Sequence, residues 1–256
     1  MKQPLRIQSL SRGLGLLERV AAHGGNVALT RLCRDADLNR STAHHLLRTL
    51  AAHGYLMQDE STRAYRLGPK IFRLACAAWS EPQIAQLALP FLRELVKATG
   101  ETANLAVRKE SDAILVETVD GEGMLRVVDR VGAARPIYAC AVGKALLAYA
   151  PEDERETILS GLRLRPQTAR TIVDRERLRR ELARVRAAGY AVDDEELSRG
   201  VRCIAAPVFA LPGQAVAAIG VAGPAARISQ KSFKRLEKPL RAAARRLSER
   251  LTRVAQ

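Results

Sequence analysis

Histidine is scarce in this chain and confined to one end. There are four, His23, His44, His45 and His53, and none follows His53. Histidine is the commonest general base and metal ligand near neutral pH, so a histidine-dependent triad or a histidine-rich metal site built from the large C-terminal part alone is excluded. Cysteine is equally thin. Cys33, Cys76, Cys140 and Cys203 stand far apart with no C-x-x-C pair, which gives no support to a zinc ribbon or a dithiol redox motif. Lone thiols of this kind suit a reducing cytosol. No run of about 18 apolar residues occurs, so no membrane span is expected. The opening MKQPLRIQSLSRGL lacks an apolar h-region, so no signal peptide is expected either. Neither G-x-G-x-x-G nor a Walker A motif is present, so no nucleotide site is indicated. These absences lead to the expectation of a cytoplasmic globular protein with no cofactor and no metal.

What the chain has in excess is positive charge. Over 256 residues the formal net charge is +15, on a composition that is 47% hydrophobic and so able to pack a core. The charge is uneven: residues 1–80 carry +7, residues 81–226 balance at zero, and residues 227–256 carry +8. Basic ends around a neutral middle suggest a polyanionic partner, with DNA the usual candidate. For the tail, solubility on an arginine-rich background explains the charge equally well.

At the N-terminal end a motif accompanies the charge. In Ser9–Ala22, Leu10, Leu14, Leu17 and Ala21 recur at helical spacing beside Val20, and Gly24-Gly25 ends the helix. Leu29–Ala36 forms a short second helix with Leu29, Leu32 and Cys33 inward, and Asp37-Leu38 makes the turn. Asn39 is suited to cap a third helix from about Arg40 to His53. There Ala43, Leu46, Leu47 and Leu50 share the packing face. The opposite face presents Arg40, Ser41, Thr42, His44, His45 and Arg48. Short donors at a helix N-terminus suit phosphate, and Arg48 and the histidines are long enough to reach base edges in a major groove. The alternative is an ordinary solvated face. The histidines also make the face pH-sensitive. If His44 or His45 meets phosphate as a cation, operator affinity falls as the pH rises from about 6 to about 8, and a flat profile rejects that contact.

Tyr55–Gln58 and Ala64–Leu67 read as a two-stranded wing around a turn at 59–62, with Arg63 and Arg66 placed for backbone or minor-groove contact. The stretches SLSRGLGLLE, LNRSTAHHLLRTLAAHGYL and YRLGPKIFRLA together closely resemble the winged helix-turn-helix domain of the IclR family of bacterial regulators.

Residues 1–69 are therefore expected to be the DNA-binding domain and 70–99 a helical linker. Lys70–Ala78 carries Ile71, Leu74, Ala75 and Ala78 along one side. After Pro82, Ile84, Leu87, Phe91, Leu92 and Leu95 repeat the pattern up to Thr99. Such a seam packs against its own copy in a dimer, the favoured reading, or within one chain. Residues 100–256 form the third part. Strands are expected at 102–108, 113–119, 125–131, 190–193, 201–209 and 215–221. Helices are expected at 143–150, 152–161, 175–188 and 229–254, the last with an inward stripe from Phe233 to Val254. Strands edged by helices make an α+β domain.

RPIYACAVGKALLAY, GYAVDDEELSRGVRCIAAPVF and AIGVAGPAARIS resemble, in order, the three blocks that form the ligand pocket of IclR-type effector domains, which have a GAF-like α+β fold. The resemblance implies an effector site containing Met124, Arg135, Ala141, Val142, Gly143, Asp193, Val201, Cys203, Gly220 and Ala222. Physically, Ala141–Gly143 are small and precede a helix, so their N–H groups suit a carboxylate or merely begin the helix. Asp193 and Asp194 suit a hydroxyl or form a solvated acidic loop. Cys203 reads as a core thiol or a ligand contact. Family members that bind small carboxylates carry serines where this chain has Gly220 and Ala222. The expected pocket is thus larger and less polar, and Arg135 is placed to supply a bidentate charge for a bulkier organic acid, such as an aromatic one.

The functional expectation is a one-component transcription regulator, not an enzyme. It would bind double-stranded operator DNA as a homodimer or homotetramer and be controlled by a small-molecule effector. A ligand-independent architectural DNA binder is the alternative. An enzyme using Cys140 or Cys203 lacks a nearby histidine to activate the thiol.

Overall fold

A computed structural model of the chain describes residues 7–71, 74, 81–211 and 213–254. The chain divides into two compact units, residues 1–78 and 79–256. Most of the helix expected over 70–78 lies outside the described residues.

The first unit is three helices and a wing: α1 (Gln8–Ala22), α2 (Leu29–Ala36), α3 (Arg40–Ala52), β1 (Leu56–Gln58) and β2 (Tyr65–Leu67). Leu16, Val20, Leu32, Leu47, Leu56 and Tyr65 form its buried core. Asp37 takes the left-handed conformation (φ 50°) in the α2–α3 turn, a conformation that aspartate tolerates better than most residues. Val27 and Tyr65 exchange backbone hydrogen bonds of 2.9 and 2.8 Å, which ties the wing to the α1–α2 loop. The stripe expected on α1 is displaced. Gly13, Leu16 and Val20 face inward, whereas Leu10 and Leu14 are 59% and 49% exposed. Gly13 faces Leu46 of α3 across ordinary contact distance, 4.0 Å from where a Cβ would stand, and Leu16 and Val20 fill the core beside it.

The second unit is built on a six-stranded antiparallel sheet, in the order β5-β4-β3-β8-β7-β6. Its strands are β3 (Thr102–Lys109), β4 (Asp112–Val119), β5 (Ala134–Pro136), β6 (Ala191–Asp194), β7 (Val201–Leu211) and β8 (Gln214–Pro224). Helices α4 (Glu81–Thr99) and α8 (Gln230–Val254) pack together and onto strands of this sheet, α4 on β3 and β4 and α8 on β7 and β8. Helix α5 (Ala141–Ala148) lies over β3, β4, β6, β7 and β8, with α7 (Arg175–Ala188) packed outside it, and α6 (Glu152–Gly161) completes the set. The expected α+β domain is present.

Two expectations about elements are corrected. Residues 125–131 are not a strand. Side chains hold the backbone of this segment where a ladder was expected: Thr102 Oγ1 donates to Val127 O (2.6 Å) and Arg227 Nη2 to Leu125 O (2.7 Å). The strand that pairs with β4 is the shorter β5. The apolar face of α4, from Ile84 to Val96, is buried within its own unit. Arg246 of α8 stacks 5.1 Å over Phe91 and pairs with Glu94. Pro82 sits in the first turn of α4, where a residue needs no N–H partner.

Candidate DNA-reading face and effector-binding core

In the first unit, the side chain of Asn39 accepts the Thr42 N–H at 2.8 Å. Asn39 thus caps α3, satisfying a donor the helix leaves open and fixing where the reading face begins. Thr42 is half-buried beside it, and Arg40, Ser41, His45 and Arg48 are exposed. Arg40, Ser41 and His44 line a cleft of about 610 Å³ with Leu29 and Thr30 of α2 and Gln58, Thr62 and Arg63 of the wing. His45 and Arg48 continue the exposed face of α3 beyond that cleft, with the His44 and His45 rings edge to face at 6.3 Å. Arg66 is exposed on β2.

The wing turn is held by one carboxylate. Asp59 Oδ1 accepts from Ser61 N (3.0 Å), Ser61 Oγ (2.7 Å), Thr62 N (2.8 Å) and Thr62 Oγ1 (2.9 Å). Those four bonds hold its carboxyl far below the usual carboxylate range. They shape the loop that carries Arg63, whose own backbone is left-handed (φ 56°) and whose carbonyl accepts from Gln58 Nε2 at 2.9 Å. Thr30 and Gln58 did not stand out in the sequence. Neither is charged, and only the fold brings them beside α3.

In the second unit, strand register gathers most of the expected effector residues. Asp193 pairs with Cys203, Cys203 with Ala222, and Ala222 with Thr102, one rung across four strands. The next rung but one holds Ala191, Ala205, Gly220 and Asn104. Directly paired residues, and residues two apart along a strand, face the same side of a sheet. Arg135, opposite Ala113, extends this face at the far edge. Helix α5 covers it: Val142 Cγ1 lies 3.0 Å from where a Cβ on Gly220 would stand. Ala141, Val142 and Gly143 are the buried first turn of α5, and Cys140, the N-cap residue, offers no capping side chain. A helix end of this kind attracts negative charge. Val201 packs at the margin of the same cluster. Met124 does not join it. It is fully exposed in the 120–131 segment, where Asp129 is the buried residue.

The room expected at Gly220 is filled. A Cβ there would stand 2.5 Å from Asn104 Oδ1. Nor is this face plainly apolar. Asn104 Nδ2 donates to Asp129 Oδ2 at 2.6 Å, and Asp129 in turn pairs with Arg135. Asn104 and Asp129 are both buried. Sequence reasoning missed both residues. Asn104 reads as one polar position in the strand TANLAVR, and Asp129 falls in a segment that was expected to be a strand.

Asp193 is also buried, its Oδ1 accepting the N–H groups of Glu196 (2.7 Å) and Leu197 (3.3 Å). Burial is the main cause that pushes its carboxyl from 3.8 up to about 7, with the neighbouring Glu196 adding to the rise. The acidic run after it is bound by arginines: Arg170 pairs with Asp194 (3.0 Å) and Glu195 (3.4 Å), and Arg202 with both. Glu196 pairs at 2.5 Å with Lys144, a fully buried lysine that sequence reading passed over inside the apolar run of α5. Burial pushes the Cys140 thiol up to about 12 and raises Cys203 well above its ordinary value. Both are therefore neutral thiols, unsuited to nucleophilic attack.

Asp193 carries a pH consequence. Between about pH 4 and about pH 7 the folded state holds a proton that the unfolded chain has released, so this group's contribution to stability falls as pH rises through that window. Burial raises Glu196 as well and tilts stability the same way. Asp193→Asn is expected to flatten the decline in Tm between pH 5 and pH 7.5. Thermal melts of both proteins over that range check it, and parallel slopes contradict it.

A capped helix on a winged frame, with a basic face, joined in one chain to an α+β domain with an enclosed polar face, defines a DNA-binding transcription regulator with an effector domain. Residues 9–60 match the IclR helix-turn-helix domain, and residues 76–249 match the C-terminal domain of bacterial transcriptional regulators of the IclR type. The chain is 36% identical over 242 residues to the HTH-type transcriptional regulator BhcR of Paracoccus denitrificans, covering 94% of this chain and 86% of that one. It is 36% identical over 226 residues to the transcriptional repressor IclR of Escherichia coli, covering 88% and 82%. Among solved structures it resembles an IclR homologue from Microbacterium hydrocarbonoxydans complexed with 4-hydroxybenzoate, with a TM-score of 0.61 and 26% identity over 96% of this chain and all of that one. The chain belongs to the IclR family of bacterial transcriptional regulators, a family of regulators and not of enzymes. Among the described residues no helix is long and apolar enough to cross a membrane.

Proposed function

We propose that the protein binds a pseudo-palindromic operator as a dimer or tetramer and that a small organic acid, aromatic in its body, sets its operator affinity. The acid would lie on the sheet face beneath α5. The observation that carries this reading is the sharing of that face by Arg135, Asp193, Cys203, Gly220 and Ala222. Around them the neighbouring positions are small, Ala191, Ala205 and Ala218, and they pack in the buried cluster beneath α5. The relative crystallised with 4-hydroxybenzoate supports an aromatic acid as the first class to test. On the DNA side, Arg40, Ser41, His44, His45 and Arg48 are assigned to base and phosphate contact. Arg63 and Arg66 are assigned to the flanking backbone, and Asn39 and Thr42 to holding the helix start. Two-fold pairing of winged helices on a two-fold site is the usual way such a unit reaches useful affinity.

The test is a thermal-shift panel of benzoate, hydroxybenzoates, glyoxylate and pyruvate on the full chain. Stabilisation by the aromatic acids, as mass action requires of a ligand of the folded state, is the expected result. Stabilisation by glyoxylate and pyruvate alone overturns the aromatic assignment. A ligand-independent architectural binder would account for the basic ends but gives no reason for polar side chains enclosed in the second unit.

A further inference from the structure

Asn104 Oδ1 is a buried hydrogen-bond acceptor with no partner among the described residues. The amide orientation is not arbitrary. Its Nδ2 meets the Asp129 carboxylate, which can only accept while ionised, so the amide nitrogen must point there and the oxygen must point away. The oxygen points over Gly220 toward the first turn of α5. Asn104 has little freedom to turn elsewhere: it is 2% exposed, and Asp129 is itself held by Arg135. A buried amide oxygen without a donor is costly, and such orphans are uncommon enough that each calls for a reason.

We propose that Asn104 is a specificity-determining residue of the effector site. It accepts a hydrogen bond from an O–H or N–H group on the ligand, so the effector is an organic acid that also bears a hydroxyl or amino substituent. This inference rests on the effector reading above and adds a residue that the family resemblance does not assign. The absence of a side chain at Gly220 has a specific consequence here. Any residue larger than glycine would occupy the position of Oδ1 and drive the acceptor off the site. The chain therefore offers its polar contact from β3, where the serine-bearing members offer theirs from the strand matching β8. An amide oxygen accepts only, whereas a serine hydroxyl can also donate. The site selects for a donor on the ligand and against an analogue that lacks one.

The test is isothermal titration of the full chain with benzoate, 2-, 3- and 4-hydroxybenzoate and 4-aminobenzoate, and with phenol as a donor that has no carboxylate. In the wild type, at least one donor-bearing acid is expected to bind tenfold or more tightly than benzoate. Asn104→Ala is expected to reduce that ratio to about threefold or less while benzoate binding stays within about threefold. Gly220→Ala is expected to lower the same ratio by displacing the Asn104 oxygen. It is an independent check should Asn104→Ala, which also leaves Asp129 with one partner fewer, fold poorly. Equal binding of benzoate and all donor-bearing acids by the wild type, or a ratio that survives in both variants, overturns the role of Asn104 and leaves the effector reading standing. Failure of every probe to bind the wild type overturns both.

Discussion

Replacing Arg48 by alanine is expected to weaken operator binding roughly tenfold to a hundredfold and to relax base preference at one position of each half-site. A bidentate arginine contact to a base edge is worth ~1–3 kcal/mol of discrimination. The magnitude follows from where Arg48 stands. It is exposed on α3, one turn beyond His44 and His45, and no hydrogen bond or ion pair among the described residues holds its guanidinium. Its loss therefore leaves the winged core, which is built from Leu16, Val20, Leu32 and Leu47, untouched. Arg48→Lys separates two ways of acting. If the arginine reads a base, lysine keeps the charge and the salt dependence but loses the fork, so preference at that position drops. If it meets only phosphate, lysine restores most of the affinity and preference does not change. Anisotropy titrations of the three proteins on matched and single-mismatch duplexes, at two salt concentrations, decide the matter. Affinity unchanged in Arg48→Ala means the reading face has been placed wrongly on α3.

The second large effect is expected at Gly143, where α5 begins. A Cβ there would stand 2.3 Å from the Ile137 carbonyl oxygen and 2.7 Å from its Cα. These are backbone atoms, so no rotamer change relieves the contact. Either α5 rises off the sheet face or the Ile137 segment shifts, and both are buried. Forcing an extra carbon into a packed interior typically costs ~1–3 kcal/mol, and contact with backbone places this one at the upper end. Gly143→Ala is expected to lower the Tm of the effector domain by roughly 6–12 °C, on the usual scaling for a domain of this size. It should also abolish effector binding, since Ala141 and Val142 move with the helix. Gly161, at the end of α6, is the control. A Cβ there meets nothing within 4 Å, so Gly161→Ala is expected to be neutral or slightly stabilising. Equal Tm values for the two variants would remove the claim that α5 is seated directly on the backbone beneath it.

How much of this was legible depended on whether the information was local. The cap at Asn39, the stripe of α8 from Phe233 to Leu251 and the α7 span could be read because a cap, an apolar period and a breaker each act over one or two turns. The face of α1 could not. Leu10 and Leu14 have the right spacing, but the row that turns inward is Gly13, Leu16 and Val20, which meets core residues far along the chain, Leu32, Leu47, Leu56 and Tyr65. The apolar alternation of 125–131 was real, yet long-range side-chain bonds from Thr102 and Arg227 hold that segment off the ladder. The seam of α4 had the pattern of a dimer face, and only the fold shows α8 and the sheet already covering it. At the effector core the assigned positions came from resemblance. Strand register is what places Asp193, Cys203, Ala222 and Gly220 on one face. Asn104 and Asp129 escaped because their significance lies in each other, 25 residues apart.

The central claim is that the two units are coupled, so that a ligand under α5 changes what α3 does on DNA. The most direct test selects a duplex from a random pool with the full chain. Its anisotropy titration is then repeated with and without a saturating organic acid that the thermal-shift panel shows to bind. The account predicts a change in operator affinity of at least fivefold in one direction, the size of an ordinary allosteric coupling, and loss of that change in Gly143→Ala. Identical operator affinity with the acid fully bound would contradict it.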